Sequence, residues 1–351
     1  MPKPVTRLLS APWGGLMALR RRLYHQGLLP AAEAGLPVVS VGNISLGGTG
    51  KSPLIRHLAR SILQGAPHEL AAHLPELPPP VAILSRGYGR RSRGWRLVSQ
   101  GEGPLPGMDV DEAGDEPLML ARQVPTAWVA VCEDRRAGAR RLRELGAGCL
   151  LLDDGFQHLA LRRDRDLLLW DCAVDPAREA VLPFGRLRES PAAALDAHLL
   201  LLGRPSRPLV EERLAWFAEL FRRAGRPLPP LFVMESSPGR LSHPESGVVV
   251  PAGGVGRHGI FCGIAAPERF LAQTVRLLGP PAWSRCLGDH HRWSEGDLAG
   301  LRRAVADHHL RHLVTTWKDA VRLPAGHGLP VLAADLDLRI RAGHDYLARH
   351  D

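Results

Sequence analysis

The stretch VVSVGNISLGGTGKSP, from Val38 to Pro53, decides how this chain is read. Val38, Val39 and Val41 form a β-branched run, glycines follow at 47, 48 and 50, and Lys51-Ser52-Pro53 reads as a helix start. The strict phosphate-loop pattern, G-x-x-x-x-G-K-[ST], asks for glycine at position 45, where this chain has Ser45. The physical requirements of such a loop are met nonetheless. Gly47, Gly48 and Gly50 give a backbone free to turn its N–H groups toward an anion. The helix N-terminus faces that anion. Lys51 supplies the cation for the outer phosphates and Ser52 a hydroxyl for Mg²⁺. Pro53 falls in the first helical turn, where its missing N–H costs nothing. Asn43, Gly47, Gly48, Thr49, Gly50, Lys51 and Ser52 are therefore the nucleotide-contact candidates. Taken alone, the stretch also fits a plain glycine-rich strand–helix turn.

Outward from this loop, apolar runs alternate with helical patterns. Strands are expected at 37–42, 81–87, 127–132, 149–155, 166–171 and 197–203, with helices at 54–63, 116–124 and 135–145 between them. Near-continuous apolar strands mark a parallel sheet covered by helices on both faces. Residues 225–259 are rich in Pro, Gly and Ser and hold two short strand-like runs, which reads as a linker. Strands expected at 260–265, 312–317 and 330–338 then give a second, smaller α/β unit. The expected division is a basic amphipathic helix (1–30), a phosphate-loop domain (31–228), a linker (229–258) and the smaller α/β domain (259–351).

The chain of 351 residues carries a formal charge of +9, which favours an anionic partner. Its five cysteines are scattered, with no C-x-x-C, so a disulfide framework or a cysteine zinc site is not expected and a reducing compartment fits. No apolar run reaches the roughly 18–20 residues that a spanning helix needs. Residues 5–29 place Leu8, Leu9, Trp13, Leu16, Leu19 and Leu23 near helical spacing, flanked by Arg7, Arg20, Arg21, Arg22 and His25. That is the pattern of an interfacial membrane helix, or of a helix packed on the protein's own core. Aromatic residues interleaved with Lys and Arg are nearly absent, so nucleic acid is not an expected partner.

Further motifs carry chemistry. GCLLLDDGFQH (148–158) runs four apolar residues into Asp153 and Asp154. A phosphate loop calls for such a carboxylate at a strand end, to hold Mg²⁺, although Asp-Gly is also a common turn. SRGYGRRSRGW (85–95) sets Arg86 and three more arginines around Tyr88, a place for an anionic substrate group or a solvated basic loop. In DEAGDEPLML (111–120), Asp115 reads as a helix N-cap, or as a carboxylate that accepts a hydroxyl proton. LGDHHRWS (287–294) offers Asp289, His290 and His291, a helix cap or a general-base pair. TTWKDAVRL (315–323) holds Lys318 and Asp319 but not the N-K-x-D guanine reader.

Taken in order, VGNISLGGTGKSP, LSRGYGR, GDEP, DDGFQH, PFGRLRES, FCGIAAPERF, GDHHRWS and TTWKDAVRL resemble the tetraacyldisaccharide 4′-kinase (lipid A 4′-kinase) family, over residues 38–323. That family has Thr or Ser where the first loop glycine is missing, so Ser45 fits it. The resemblance implies ATP and Mg²⁺ as cofactors and transfer of the γ-phosphoryl to the 4′-hydroxyl of an acylated glucosamine disaccharide 1-phosphate. It implies work on an anionic membrane surface, the cytoplasmic face of the bacterial inner membrane, and no obligate protein partner. It also implies two α/β/α domains joined by a two-stranded linker. By resemblance, Lys51 contacts the β- and γ-phosphates, and Ser52, Asp153 and Asp154 serve the metal. Asp115 takes the hydroxyl proton with His290 tuning it, and Arg86, Tyr88, Arg135, Gln157, His158 and Glu189 lie around substrate and phosphates. Two departures stand out: Trp317 where the family has Glu, and a short N-terminal apolar core that points to interfacial attachment. A phosphate-loop switch or metal-insertion chaperone is the alternative; it calls for N-K-x-D or a Cys/His cluster, and neither is present.

Overall fold

A computed structural model describes residues 4–289 and 291–348, so His290 lies outside the described residues. A long first helix, α1 (Pro4–His25), precedes the strand β1 (Val38–Asn43) and the helix α2 (Lys51–Leu63). Then come β2 (Val81–Ser85), β3 (Arg96–Gln100), α3 (Val110–Ala113), α4 (Asp115–Gln123), β4 (Trp128–Val131) and α5 (Arg135–Glu144). β5 (Cys149–Asp153), β6 (Arg165–Asp171), β7 (Leu199–Gly203), α6 (Arg207–Arg223) and the long β8 (Leu231–Ser242) complete the first half of the fold. The remainder is β9 (Val249–Val250), β10 (His258–Cys262), α7 (Pro267–Leu278), β11 (Trp283–Cys286) and α8 (Glu295–Asp307), followed by β12 (His312–Thr316), α9 (Trp317–Ala320), β13 (Val331–Ala342) and α10 (Gly343–Ala348).

The strands form one sheet in the order β11-β10-β12-β13-β8-β7-β6-β1-β5-β2-β4-β3, with β9 added beside β8. Pairings are parallel except β3–β4, β8–β13 and β8–β9. Period-two alternation divides the leucines of each strand between two helix layers. In β5, Leu151 faces Leu54, Ile55 and Leu58 of α2, whereas Leu150 and Leu152 face Ala139 and Leu142 of α5. In β6, Leu168 and Trp170 turn toward Phe217 and Phe221 of α6. Each fully buried leucine contributes roughly 1.5–3 kcal/mol by leaving water, which is why these strands read as unbroken apolar runs.

The structure differs from the sequence reading in three places. First, the pair joining the two halves is not contained in 229–258. β8 pairs along its length with β13, from Phe232↔Ala342 to Ser242↔Ala333, and only the short β9 returns within the expected linker. The partner is supplied about 100 residues later, a separation that local pattern does not reveal. Second, the chain end leaves the smaller unit: Tyr346 of α10 is buried with Phe217, Leu231 and Val233 of the first half. Third, Asp115 is not an N-cap. Gly114 holds that position at φ 87°, and Asp115 is the first helical residue. A side chain on Gly114 would lie 3.0 Å from the Tyr88 carbonyl, so glycine lets α4 press against the 87–88 loop. The true acidic cap is Asp109, which accepts from the Asp111 and Glu112 N–H groups at 2.9 Å and starts α3.

Asp335 marks the junction between the halves. The β8–β13 register shifts between Ala334 and Leu336, and the buried Asp335 carboxylate there accepts from Arg56 of α2 and, at 2.5 Å, from Gln123 of α4. An irregularity in a strand re-aims one side chain; here it ties the helix that follows the glycine loop to the connecting strand.

Candidate active site

In a parallel sheet the carboxyl edges of the strands lie together, and the register Val41↔Asp153 brings Asn43 and the acidic pair to one edge. Lys51 opens α2, and Gly50 before it sits at φ 95°. A Cβ on Gly50 would stand 2.6 Å from the Met234 methyl, so the loop's last glycine is required by both conformation and space. Lys51 Nζ donates to Asn43 Oδ1 at 3.2 Å and lies 3.4 Å from Asp154 Oδ1. Asn43 Nδ2 donates in turn to Thr49 Oγ1 at 2.9 Å, strapping the loop to the strand. Ser52 is buried in the first helical turn.

The two carboxylates have different surroundings. Asp153 is 1% exposed and accepts from Ser85 Oγ at 3.0 Å, while its Oδ1 has no hydrogen-bond partner among the described residues. Burial, together with the nearby charges of Glu116 and Asp154, pushes its carboxyl up to about 7. Asp154 holds the left-handed backbone at φ 54°. Burial pushes its carboxyl up too, but Lys51 and Arg188 outweigh that and hold it below the usual carboxylate range. Neighbouring acids driven apart in this way are a mark of functional sites. Among the described residues no group of three or more His, Cys, Asp or Glu forms a metal site. Mg²⁺ takes one or two carboxylates and fills its remaining positions with water and phosphate oxygens. The orphaned Asp153 oxygen, beside Asp154 and the Ser52 turn, fits such an ion.

Arginines complete the edge. Arg188 Nη1 donates to Asp154 Oδ2 at 2.7 Å and to Gln157 Oε1 at 3.3 Å. Gln157 Nε2 donates to the Asn43 carbonyl at 2.9 Å. Arg204 donates to the Gly48 carbonyl at 2.6 Å and pairs with Asp171 at 2.9 Å, bracing the glycine loop from β6. Arg135, first residue of α5, is 6% exposed. Burial lowers its guanidinium, against the pull of Asp153 and Asp154. His158 is pushed down to about 4 by burial and by Arg135 and Arg163, so it is neutral at pH 7.

Arg86 and Tyr88 line a shallow pocket of about 340 Å³ with Arg90, Arg93 and Glu133, and Arg86 follows Ser85, which donates to Asp153. Tyr88 is 80% exposed. Glu189 is drawn toward α1 instead: it accepts from Arg21 at 2.8 and 3.0 Å and is itself buried. Asp115 accepts from Arg322 Nε at 2.8 Å, and Glu116 pairs with Lys318. Trp317 is buried in the cluster that holds Leu118 and Met119 of α4, so the position where the resemblance expects an acid is an apolar contact between the two halves. Arg188, Arg204 and Arg322 were not singled out in the sequence. Arg188 stands in PFGRLRES beside Glu189 and Arg322 in TTWKDAVRL, whereas no pattern flags Arg204.

Similarity to known proteins agrees with this geometry. The profile of the tetraacyldisaccharide-1-P 4′-kinase family matches residues 3–349. The chain belongs to this family. A tetraacyldisaccharide 4′-kinase of Anaeromyxobacter dehalogenans is 39% identical over 342 residues, covering 95% of this chain and 83% of that one. The Geobacter sulfurreducens relative of the same name is 34% identical over 343 residues, covering 95% and 89%. A crystal structure of LpxK from Aquifex aeolicus in complex with ATP matches with a TM-score of 0.72 at 26% identity, over 97% of this chain and 95% of that one. Membership in the tetraacyldisaccharide-1-P 4′-kinase family, with an ATP-bound LpxK as a structural match, makes ATP the cofactor.

Proposed function

We infer that this chain is an ATP-dependent kinase that transfers the γ-phosphoryl group to the 4′-hydroxyl of a tetraacylated glucosamine disaccharide 1-phosphate. The observation that carries the reading is Lys51 at the head of α2, set between Asn43 and Asp154 on a chain matched by the family over 3–349. Phosphoryl transfer asks a protein mainly for positioning and for neutralisation of developing charge. Lys51 and Arg188 supply positive charge beside the acidic pair, and Arg204 and Asn43 hold the loop backbone. Ser52, Asp153 and Asp154 would hold Mg²⁺, which when bound offsets negative charge on the outer phosphates. Asp115 takes the proton of the attacking hydroxyl, its carboxylate oriented by Arg322, with His290 as its partner. Arg86, Tyr88, Arg135, Gln157 and His158 border the acceptor and the phosphates. Glu189 anchors the first helix at this edge.

The acceptor is a lipid, and α1 suits a membrane surface. Leu9, Trp13, Leu16 and Leu19 are all well exposed along it. The helix is held to the body through Arg21 to Glu189, Arg20 to the Gln157 carbonyl at 3.0 Å, and the indole of the part-exposed Trp13 to the Arg188 carbonyl at 3.0 Å. No described helix is long and apolar enough to cross a membrane. The exposed leucines support interfacial attachment to a membrane surface, and the cytoplasmic face of the inner membrane is the side we assign because ATP is supplied there. The test is label transfer from γ-labelled ATP with Mg²⁺ to the disaccharide 1-phosphate in detergent micelles. Labelled lipid bearing phosphate at the 4′ position is the expected product; ATP hydrolysis with no labelled lipid sinks the reading.

A further inference from the structure

Two of the five cysteines meet. Cys262 ends β10 and Cys286 ends β11, and they are register partners on adjacent parallel strands. Their sulfurs lie 3.7 Å apart. Cys262 is fully buried, while Cys286 is exposed on β11, the edge strand of the sheet. Cys132, Cys149 and Cys172 are each buried, and burial pushes the Cys149 and Cys172 thiols up to about 12; burial and the neighbouring Cys286 raise the Cys262 thiol as well, which leaves Cys286 as the attacking sulfur. A solvent-facing thiol backed by a second thiol within reach is the arrangement that thiol–disulfide exchange needs: one sulfur to attack and one to resolve.

The surroundings give the pair a consequence. The Leu287 N–H donates to the Cys262 carbonyl at 2.8 Å, so the two strand ends are already laced together. The residue after Cys262 is Gly263, whose carbonyl accepts from Arg322 Nη1 at 3.1 Å, the same guanidinium that holds Asp115. A Cβ on Gly263 would lie 2.9 Å from the Cβ of His291, so His291 packs closely over this glycine. Forming a disulfide shortens the sulfur separation from 3.7 Å to about 2 Å. The movement falls on the strand ends that carry Gly263 and Leu287.

We propose that Cys262 and Cys286 form a reversible dithiol–disulfide pair, closed by exchange with a low-molecular-weight disulfide, and that closure slows phosphoryl transfer by displacing the Gly263–Arg322–Asp115 contact. The first half stands on the cysteine geometry alone; the effect on transfer rests on the kinase reading. In the exchange, the Cys286 thiolate attacks one sulfur of the small disulfide, releasing one thiolate and leaving a mixed disulfide on Cys286. Cys262 then attacks the Cys286 sulfur, its proton passing to the second small thiol as that thiol is expelled. Two protein thiols are oxidised to one disulfide, and the small disulfide is reduced to two thiols. Under a reducing poise the pair stays open.

The experiment incubates the full chain with oxidised glutathione and measures intact mass, free thiols after denaturation, and transfer rate. The wild type is expected to lose two of its five thiols and become two hydrogens lighter, without a lasting adduct. Cys262→Ser is expected to retain one glutathionyl group on Cys286, and Cys286→Ser to stay unmodified at the pair. The wild-type transfer rate falls and returns with dithiothreitol, while Cys286→Ser keeps its rate under oxidant. Five free thiols in the oxidised wild type, or a stable adduct in place of the disulfide, overturns the pair. A disulfide with an undiminished rate overturns the link to transfer. Because mass and thiol count need no activity, absence of any transfer in the reduced protein would count against the kinase reading and leave the pair judged by its own readouts.

Discussion

Arg322 Nε donates to Asp115 Oδ2 at 2.8 Å across 207 positions of sequence, joining the smaller unit to the first turn of α4. The Arg322 side chain is only 4% exposed, and the same guanidinium lies 3.4 Å from the wholly buried Asp319 carboxylate. It therefore stands between two acids at the seam of the two halves. Removing a buried cation from such a group costs more than the pair contributes, because the carboxylates keep their burial. Arg322→Ala is expected to destabilise the fold by about 3 kcal/mol, with Arg322→Lys losing less. Urea unfolding measures it, and a midpoint unchanged from wild type would show that this seam contributes nothing.

Lys51 and Arg204 both serve the glycine loop but do different things, and kinetics separates them. Lys51→Ala removes charge where the outer phosphates bind, so turnover is expected to fall about a hundredfold or more. Arg204 touches the Gly48 carbonyl and Asp171, so it braces the loop backbone. Arg204→Ala is expected to raise the KM for ATP with a smaller change in kcat. Equal losses of kcat in both variants would place Arg204 at the reacting groups instead.

His158 gives the fold a definite acid sensitivity. Its imidazole is held down to about 4 from an ordinary 6.5, so the folded chain does not take the proton that the unfolded chain takes between those values. Stability from this group is complete above pH 6.5 and is lost as pH falls toward 4. His158→Asn is therefore expected to flatten the fall of Tm between pH 7 and pH 4.5. His57, His68, His198 and His327 are lowered mainly by burial as well, so the slope shrinks without vanishing. A steeper slope in the variant would contradict the buried neutral imidazole.

The first helix separates membrane contact from folding. Leu9, Leu16 and Leu19 are each more than half exposed, whereas Arg21 is buried against Glu189. Leu16→Glu with Leu19→Glu is expected to abolish co-sedimentation with anionic vesicles while leaving the melting temperature unchanged. Arg21→Ala is expected to do the reverse, lowering Tm by leaving Glu189 buried without its arginine. Vesicle binding unaffected by both leucine changes would remove α1 as the attachment surface.

Much of this was legible because local pattern carried it. Val38–Val41, the glycines to Gly50 and Lys51 specify a strand, a loop and a helix within one short window. Leu150–Asp153 likewise announces a buried strand ending in acid. What escaped the sequence is set by distant partners. β8 finds β13 about 100 residues on, and Arg322 finds Asp115 over twice that distance. Tyr346 returns to Phe217 in the first half, which no periodicity near the chain end announces. Asp115 was displaced from the cap because Gly114 must approach Tyr88, a steric demand visible only in three dimensions. Arg204 escaped for a related reason: its partners, Gly48 and Asp171, converge only when the carboxyl edge is assembled.

The measurement that bears most directly on this account is single-turnover phosphate transfer to the disaccharide 1-phosphate by wild type and Asp115→Asn, with ATP binding followed in parallel. The account expects labelled lipid from wild type, a loss of about a hundredfold or more in the variant, and unchanged ATP affinity in both. Equal transfer rates in the two proteins would contradict Asp115 as the proton acceptor. Equal ATP hydrolysis without labelled lipid would contradict the kinase itself.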